Sequence, residues 1–281
     1  MTASLILPYP FDTDAMQRAL LACLAVGVFA PVIGTFLVQK RLSLVGDGVG
    51  HVAYAGVGAG LLLGVWPVWT ALVFAVVGAV GVELLRSRRK ASGDLALALF
   101  FYAGLALGVV FASRAGNVEL ETLPYLFGDP FGVTGTGIAA IGLVASVVGI
   151  GAFALRRTLF AIVTDEDWSR AAGLPVDALN AALAGVTAAV IVAGMRVVGI
   201  LLIAAMMVLP VASAQLLAHS FRGTLRLAIS IGAGSAVIGL AASRLMDIAP
   251  GGAIVLVAAL LFAVTATAKH AAPRGLQQEV H

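Results

Sequence analysis

Long apolar runs dominate this sequence and restrict its fold more than any other feature. They follow one another along the whole chain, each roughly 18 residues or longer, so each could cross a hydrocarbon core of about 30 Å as a helix. Of the 281 residues, 61% are hydrophobic and 11% are charged, whereas about 25% are charged in soluble domains. The sequence therefore predicts an all-α polytopic membrane protein.

Nine spans are predicted from the apolar runs and the charges that interrupt them. The chain is expected to form a single transmembrane domain over 1–281, with a short polar tail from about residue 269 and no soluble domain. Eight spans remain the alternative, if one segment is re-entrant. The predicted spans cover residues 15–38, 43–64, 66–85, 94–112, 136–155, 176–194, 197–218, 225–243 and 252–268.

The segment 113–135 does not fit a simple span. It holds Glu119, Glu121 and Asp129 together with two prolines and several glycines, yet its middle is too apolar for a free loop. A short re-entrant or surface-lying element, shielded by protein on the outer side, satisfies both observations.

The basic residues indicate how the chain is oriented. Lys and Arg are retained on the cytoplasmic side of a membrane, so an outside N-terminus and an inside C-terminus is the better arrangement. It leaves only Arg18, Arg114, Arg196 and Arg244 outside, and it explains the net charge of +3 without a nucleic-acid partner. The residues placed inside are Lys40, Arg41, Arg86, Arg88, Arg89, Lys90, Arg156, Arg157, Arg170, Arg222, Arg226, Lys269 and Arg274.

Two metal-capable side chains interrupt the second predicted span. Asp47 and His51 stand four residues apart, and with Tyr54 and Gly58 they share one stripe of a helix. Carboxylate and imidazole together suit zinc, manganese or ferrous iron. Two ligands are too few for a closed site, but a symmetric dimer could supply a second pair.

The residues alone leave three interpretations of this pair open. Asp47 and His51 could pair with each other or with the backbone to lock helix packing, they could relay protons, or they could line a metal pathway. The single cysteine, Cys23, lies in an apolar run, so no disulfide framework or CxxC metal site is available. No Gly-Lys pair occurs, which excludes a phosphate-binding GxxxxGK[ST] loop. If ATP drives transport, another subunit hydrolyses it.

The order of local motifs resembles a known family. The run FLVQKRLSLVGDGVGHVAYAGVGAG resembles the second-helix signature of the membrane subunits of zinc and manganese ABC importers. The segments YLFGDPFGVT, MRVVGILLIAAMMVLPVASAQLLA and DIAPGGAIVLVAALLF resemble that family's later landmarks in the same order. The resemblance covers about residues 30–268. This chain differs from the family pattern at Gly48 and Gly50, where family members often carry a hydroxylic or larger apolar residue. The two glycines suggest a more flexible helix.

The resemblance implies a permease subunit in a bacterial plasma membrane, built on the plan of vitamin B12 and siderophore importers. Two copies would form the pathway, two cytoplasmic ATPase subunits would drive it, and an extracytoplasmic binding protein would deliver the metal. Asp47 and His51 match the positions where the family places its acid and imidazole. The resemblance favours zinc as the transported metal, with manganese or iron as alternatives. No permanently bound cofactor is expected. A proton-coupled secondary transporter and a permease for a metal chelate are the competing functions.

Two predicted cytoplasmic segments resemble the family's ATPase contacts. The main candidate is 210–223 (PVASAQLLAHSFRG), and the second is 165–173 (DEDWSRAAG); ordinary solvated connectors are the alternative for both. The coupling residues predicted from them are Pro210, Ala212, Ser213, Gln215, Leu216, His219, Phe221, Arg222, Asp165, Ala171 and Gly173.

Several other residues have simpler predicted roles. Asp129 is expected to cap a Gly-Asp-Pro turn rather than to meet incoming metal, and Glu83 is expected to pair with Arg86 at the inner boundary. The three methionines of the central spans are assigned to apolar packing, and a two-histidine site in the tail has no support. The methionines are Met195, Met206 and Met207, and the histidines of the tail are His270 and His281.

Overall fold

The computed structural model describes residues 8–87, 93–116 and 118–271, and within them the chain is built from α-helices without strands. The predictions for Arg88, Arg89, Lys90, Arg274 and His281 lie outside the described residues. The helices are α1 (Asp14–Gln39), α2 (Val45–Leu63), α3 (Pro67–Ser87), α4 (Gly93–Ala115), α5 (Val118–Phe127), α6 (Gly135–Ala154), α7 (Arg156–Thr164), α8 (Glu166–Ala171), α9 (Val176–Met195), α10 (Ile200–Leu217), α11 (Phe221–Met246) and α12 (Pro250–Ala271).

Every segment predicted as a span is a helix whose ends differ from the prediction by a few residues. Within the described ranges, eight helices are long and apolar enough to cross a membrane, namely α1, α3, α4, α6 and α9 to α12. The ninth segment, α2, has 19 residues and a length of about 29 Å, but Asp47, His51 and its many glycines make it less apolar. Both the ninth span and the sidedness that depends on it stay predictions.

Helix α2 lies inside the bundle, and its glycines explain how the neighbours come so close. A Cβ atom at Gly56 would stand 2.5 Å from the Cα of Ala71 in α3, and one at Gly58 would stand 2.9 Å from the carbonyl oxygen of Gly108 in α4. On a third side, a Cβ at Gly50 would stand 3.3 Å from Ile200 in α10. Small residues at helix contacts allow close packing inside membranes, so α2 is held by backbone proximity on three sides.

The segment that was predicted not to span forms the short helix α5. Its 10 residues are too few to cross a membrane, and α5 packs against α2, α4, α9 and α10. Helix α4 continues to Ala115, three residues beyond its predicted end. The exclusion from the spans is therefore confirmed for the described residues between α4 and α6, while the ends of the predicted segment belong to those two helices. Packing against four helices shields α5.

Three of the four family landmarks meet next to α5. Gly128 and Gly199 adopt φ angles of +80° and +101°, which L side chains rarely adopt. A Cβ at Gly128 would stand 2.5 Å from the carbonyl carbon of Val198, and one at Gly251 would stand 2.6 Å from the carbonyl oxygen of Phe127. The α5–α6, α9–α10 and α11–α12 connections thus converge at one end of the bundle, on the side predicted to be outside.

Candidate metal site and coupling segments

The predicted stripe on α2 is present and faces α4. The His51 ring lies edge-on to Phe101, with ring centroids 4.1 Å apart, and the Tyr54 ring lies against Gly108. Gly58 faces Gly108 as well. Residue numbers rise together along the two helices, so α2 and α4 run in parallel with the stripe between them.

His51 is buried without a partner for one ring nitrogen. The residue is 9% exposed, and its Nδ1 atom is fully buried and has no hydrogen-bond partner in the structure. Buried polar atoms are nearly always paired, so an unpaired one calls for an explanation such as an ion. Asp47, four residues earlier, is half-buried and lines an opening with Leu44, Leu97 and Phe101. A deprotonated imidazole nitrogen and a carboxylate together fit a divalent transition metal.

The packing-lock interpretation of the pair finds no support in this geometry. No hydrogen bond or ion pair joins Asp47 to His51 within the described part of the chain. Asp47 instead opens to the outside of the subunit beside Leu44 and Tyr102, which are 62% and 68% exposed. The ligand set is also incomplete, since no group of three or more His, Cys, Asp or Glu residues occurs among the described residues.

The stripe is connected to α5 through its third member. A side-chain hydrogen bond joins Tyr54 to Thr122 in α5, and both residues are buried, at 5% and 2% exposure. Tyr54 was predicted to share the stripe with Asp47 and His51, but its partner Thr122 in α5 was not predicted. Helix α2 is therefore connected by polar side chains to the element at the predicted outer end.

Asp129 forms the turn that its Gly-Asp-Pro context predicts. Its Oδ1 atom accepts a hydrogen bond of 3.0 Å from the amide of Gly132, and its own amide donates to the carbonyl oxygen of Arg196 at 2.9 Å. The carboxylate thus orders the α5–α6 connection, and the backbone amide of Asp129 joins that connection to the α9–α10 connection.

This turn predicts different effects for two substitutions of Asp129. Asp129→Asn keeps the oxygen acceptor and should leave both thermal stability and uptake near those of the unmodified protein. Asp129→Ala removes the acceptor and should lower the free energy of unfolding by about 0.5–1.5 kcal/mol. Thermal unfolding in detergent and uptake assays check both. A loss of uptake in the asparagine variant would instead indicate a direct role for the charge.

The main candidate coupling segment forms a helix end and a short turn. Pro210, Ala212, Ser213, Gln215 and Leu216 belong to the last turns of α10, where Pro210 and Ser213 are buried. His219 is exposed in the connection that follows. Ser220 then caps α11, since its Oγ accepts a hydrogen bond from the amide of Gly223 at 3.1 Å. Phe221 and Arg222 begin α11, and Arg222 is exposed.

The second candidate segment forms the short helix α8. Asp165 is its N-cap, because its carboxylate accepts a hydrogen bond of 2.9 Å from the amide of Trp168. Trp168 is 62% exposed, and Ala171 and Gly173 are exposed at the other end. The main segment contacts the helix that precedes α8, since the Phe221 ring packs against Phe160 of α7 with ring centroids 5.0 Å apart.

The predicted Glu83–Arg86 pair is confirmed and belongs to a larger cluster. Arg86 donates to Glu83 at 2.8 and 3.0 Å and to Glu166 of α8 at 3.2 Å. Glu166 also forms an ion pair with Lys40 and accepts a hydrogen bond of 3.0 Å from Asn180 in α9. Glu166 and Asn180 were not predicted to belong to this cluster. The only signal in the sequence was their position in the polar segments DED and VDALN.

The three methionines lie in the hydrophobic core, which fits their predicted packing role. Met195, Met206 and Met207 are between 0% and 1% exposed.

Comparison with known proteins identifies the family to which this chain belongs. The model of the ABC 3 transport family matches residues 12–269. The chain belongs to the ABC 3 transport family. It is 32% identical to the manganese transport system membrane protein MntC of Listeria monocytogenes over 88% of both chains. It is 29% identical to the chelated iron transport system membrane protein YfeD of Yersinia pestis, with 94% of this chain and 89% of YfeD covered.

A solved structure shows the same fold. The chain superposes on a chain of PsaBC from Streptococcus pneumoniae, solved in complex with Fab, with a TM-score of 0.82, 28% identity and coverage of 90% of this chain and 91% of that one. As an ABC 3 member with eight apolar helices, the chain is a multi-pass plasma membrane protein. It is the permease subunit of a metal ABC importer and not itself the ATPase.

Proposed function

We propose that Asp47 and His51 bind a divalent transition metal as it passes through this permease. The observation that carries the proposal is the buried, unpartnered Nδ1 of His51, four residues from a carboxylate in an opening on the same helix. An imidazole nitrogen that makes no hydrogen bond within the protein can bind a cation without first breaking one. One copy of the chain supplies only two of the ligands, and a site on a conduction path must also bind loosely enough for release.

A second copy of the chain is proposed to complete the site. Asp47 opens to the surface of the subunit beside two exposed apolar side chains, Leu44 just before α2 and Tyr102 in α4. A symmetric dimer across this face would bring two Asp-His pairs together. It would also cover apolar surface that lies next to a charged group.

Manganese is proposed as the principal cargo. The resemblance of the motifs favoured zinc, but the similar proteins MntC and YfeD are named for manganese and for chelated iron. Carboxylate and imidazole ligands bind manganese as well as zinc, so the site chemistry is compatible with this change. ATPase subunits are proposed to contact α8 and the α10–α11 connection, and an extracytoplasmic binding protein to deliver the metal.

Transport by a reconstituted importer tests this function. The permease is placed in proteoliposomes with its ATPase and binding protein, and uptake of manganese and zinc is measured with and without ATP. We expect ATP-dependent manganese uptake that survives dissipation of the proton gradient. Uptake that needs no ATPase and collapses with the gradient would identify a secondary transporter, and transport of chelated iron alone would identify a chelate permease.

A further inference from the structure

A partly buried ion cluster joins α8 to three other helices. The Glu166 cluster consists of Glu166 in α8, Lys40 at the end of α1, Arg86 in α3 and Asn180 in α9. Lys40 donates to the Oδ1 of Asn180 at 2.6 Å and pairs with Glu166. Arg86 and Asn180 both donate to the Oε1 of Glu166, at 3.2 and 3.0 Å. One carboxylate thus holds donors from three helices.

Because the cluster is partly buried, breaking its ion pairs is energetically unfavourable. The Lys40 side chain is 5% exposed, and those of Arg86 and Glu166 are 24% and 30% exposed. Breaking a buried pair leaves an uncompensated charge out of water, which is strongly unfavourable. Burial by itself would raise the pKa of the Glu166 carboxyl, but Lys40, Arg86 and Asn180 outweigh it and lower that pKa to about 2. Glu166 therefore stays ionised and paired at physiological pH.

The cluster is connected to the candidate metal site by a short, ordered turn. Lys40 caps the C-terminus of α1, and the amide of Leu42 donates to the carbonyl oxygen of Leu37 at 2.9 Å. The amide of Val45, the first residue of α2, donates to the carbonyl oxygen of Leu42 at 3.0 Å. Asp47 follows in the first turn of α2. A displacement of Lys40 is therefore passed to the start of the helix that carries the metal ligands.

We propose that the Glu166 cluster is the joint through which movement of α8 reaches α2, so that Lys40, Arg86, Glu166 and Asn180 are positioning residues for transport. The inference rests on the proposed function, in which α8 contacts an ATPase and α2 binds the metal. A second ion pair between α8 and α9, Arg170–Asp177 at 2.9 Å, is 54% and 68% exposed. Exposed pairs contribute little, so this pair carries no such movement and serves as a matched control.

The first test separates ATP hydrolysis from transport in the reconstituted importer. Lys40→Met and Glu166→Gln should leave ATPase activity within about twofold of the unmodified complex while manganese uptake per ATP falls at least about tenfold, as expected for a lost coupling between sites. Lys40→Arg, which keeps the charge, should recover part of the loss. Asp177→Asn breaks the same exposed pair from the α9 side, outside the segment proposed to contact the ATPase, and should change neither quantity.

A merely structural role predicts another pattern. It would lower expression and thermal stability of the cluster variants, but complexes that assembled would transport with an unchanged ratio of uptake to hydrolysis. That unchanged ratio would overturn the proposal. An unmodified complex that hydrolyses ATP but takes up no manganese or zinc would overturn the proposed function instead.

A distance measurement tests the joint without relying on variants of the cluster. Spin labels are placed at Arg41→Cys and at Thr164→Cys, the residue before the N-cap of α8, both exposed positions, in a background without the single native cysteine, Cys23. We expect the distance between the labels to stay constant within about 2 Å between nucleotide-free and ATP-bound complexes, as in rigid-body movement. A change of about 5 Å or more, the scale of a one-turn shift, would show that the cluster opens and would overturn the proposal.

Discussion

Asp47→Asn and His51→Ala are each expected to reduce metal uptake by about 100-fold or more, since losing a direct ligand exceeds the 10- to 100-fold effect of losing a supporting group. Asparagine keeps the size and one oxygen of Asp47, and alanine at position 51 removes an imidazole whose Nδ1 makes no hydrogen bond. Asp47→Asn breaks no hydrogen bond or ion pair among the described residues, so its thermal stability should stay close to that of the unmodified protein. His51→Ala also removes the ring contact with Phe101 and should lower thermal stability somewhat. Membrane insertion and association with the ATPase should persist in both variants.

His270→Ala provides the matched control for the loss of an imidazole. His270 is exposed in α12, where a ring nitrogen lies 3.1 Å from the carbonyl oxygen of Ala266. Uptake of manganese and zinc by this variant should be unchanged. Metal binding can be measured on the same samples by isothermal titration. Normal uptake of both metals by the two site variants would contradict the site assignment, and a fall in stability that parallels the fall in uptake would favour the packing-lock interpretation.

Most of the fold could be predicted because a bilayer leaves a chain few choices. Backbone groups in hydrocarbon must be paired internally, so each long apolar run had to be a helix. The acids and prolines of 113–135 were sufficient to exclude a span there. The run 43–64 was predicted as a helix, and α2 forms there, but composition alone does not establish that it spans the membrane, because a helix packed among other helices need not be as apolar as one that faces lipid.

The candidate site could be predicted only within its own helix. Helical periodicity placed Asp47, His51 and Tyr54 on one stripe, and the structure confirms that grouping. Which helix faces the stripe depends on tertiary packing, so Phe101 and Thr122 could not be found from local spacing. The same reason explains why Glu166 was missed, since its partner Lys40 is 126 residues away in the sequence and only the fold brings the two together.

Glycine positions on α4 show how much the site depends on that packing. A Cβ at Gly104 would stand 2.7 Å from the amide nitrogen of Val52 and 2.8 Å from the carbonyl carbon of His51. These are backbone atoms, which cannot move aside as a flexible side chain can. A methyl group at position 104 must therefore push α4 away from α2 at the residue that carries the imidazole.

Gly104→Ala is accordingly expected to lower the free energy of unfolding by about 1–3 kcal/mol, the usual effect of overpacking, and to reduce manganese uptake as well. Gly142→Ala in α6 is the matched control, because nothing lies within 4 Å of the added Cβ; it should leave uptake unchanged and stabilise its helix by about 0.5–1 kcal/mol. Thermal unfolding in detergent and uptake in proteoliposomes measure both effects. If the two variants behaved alike, α2 and α4 would not be in backbone contact at His51, and the position of the candidate metal site between them would have to be abandoned.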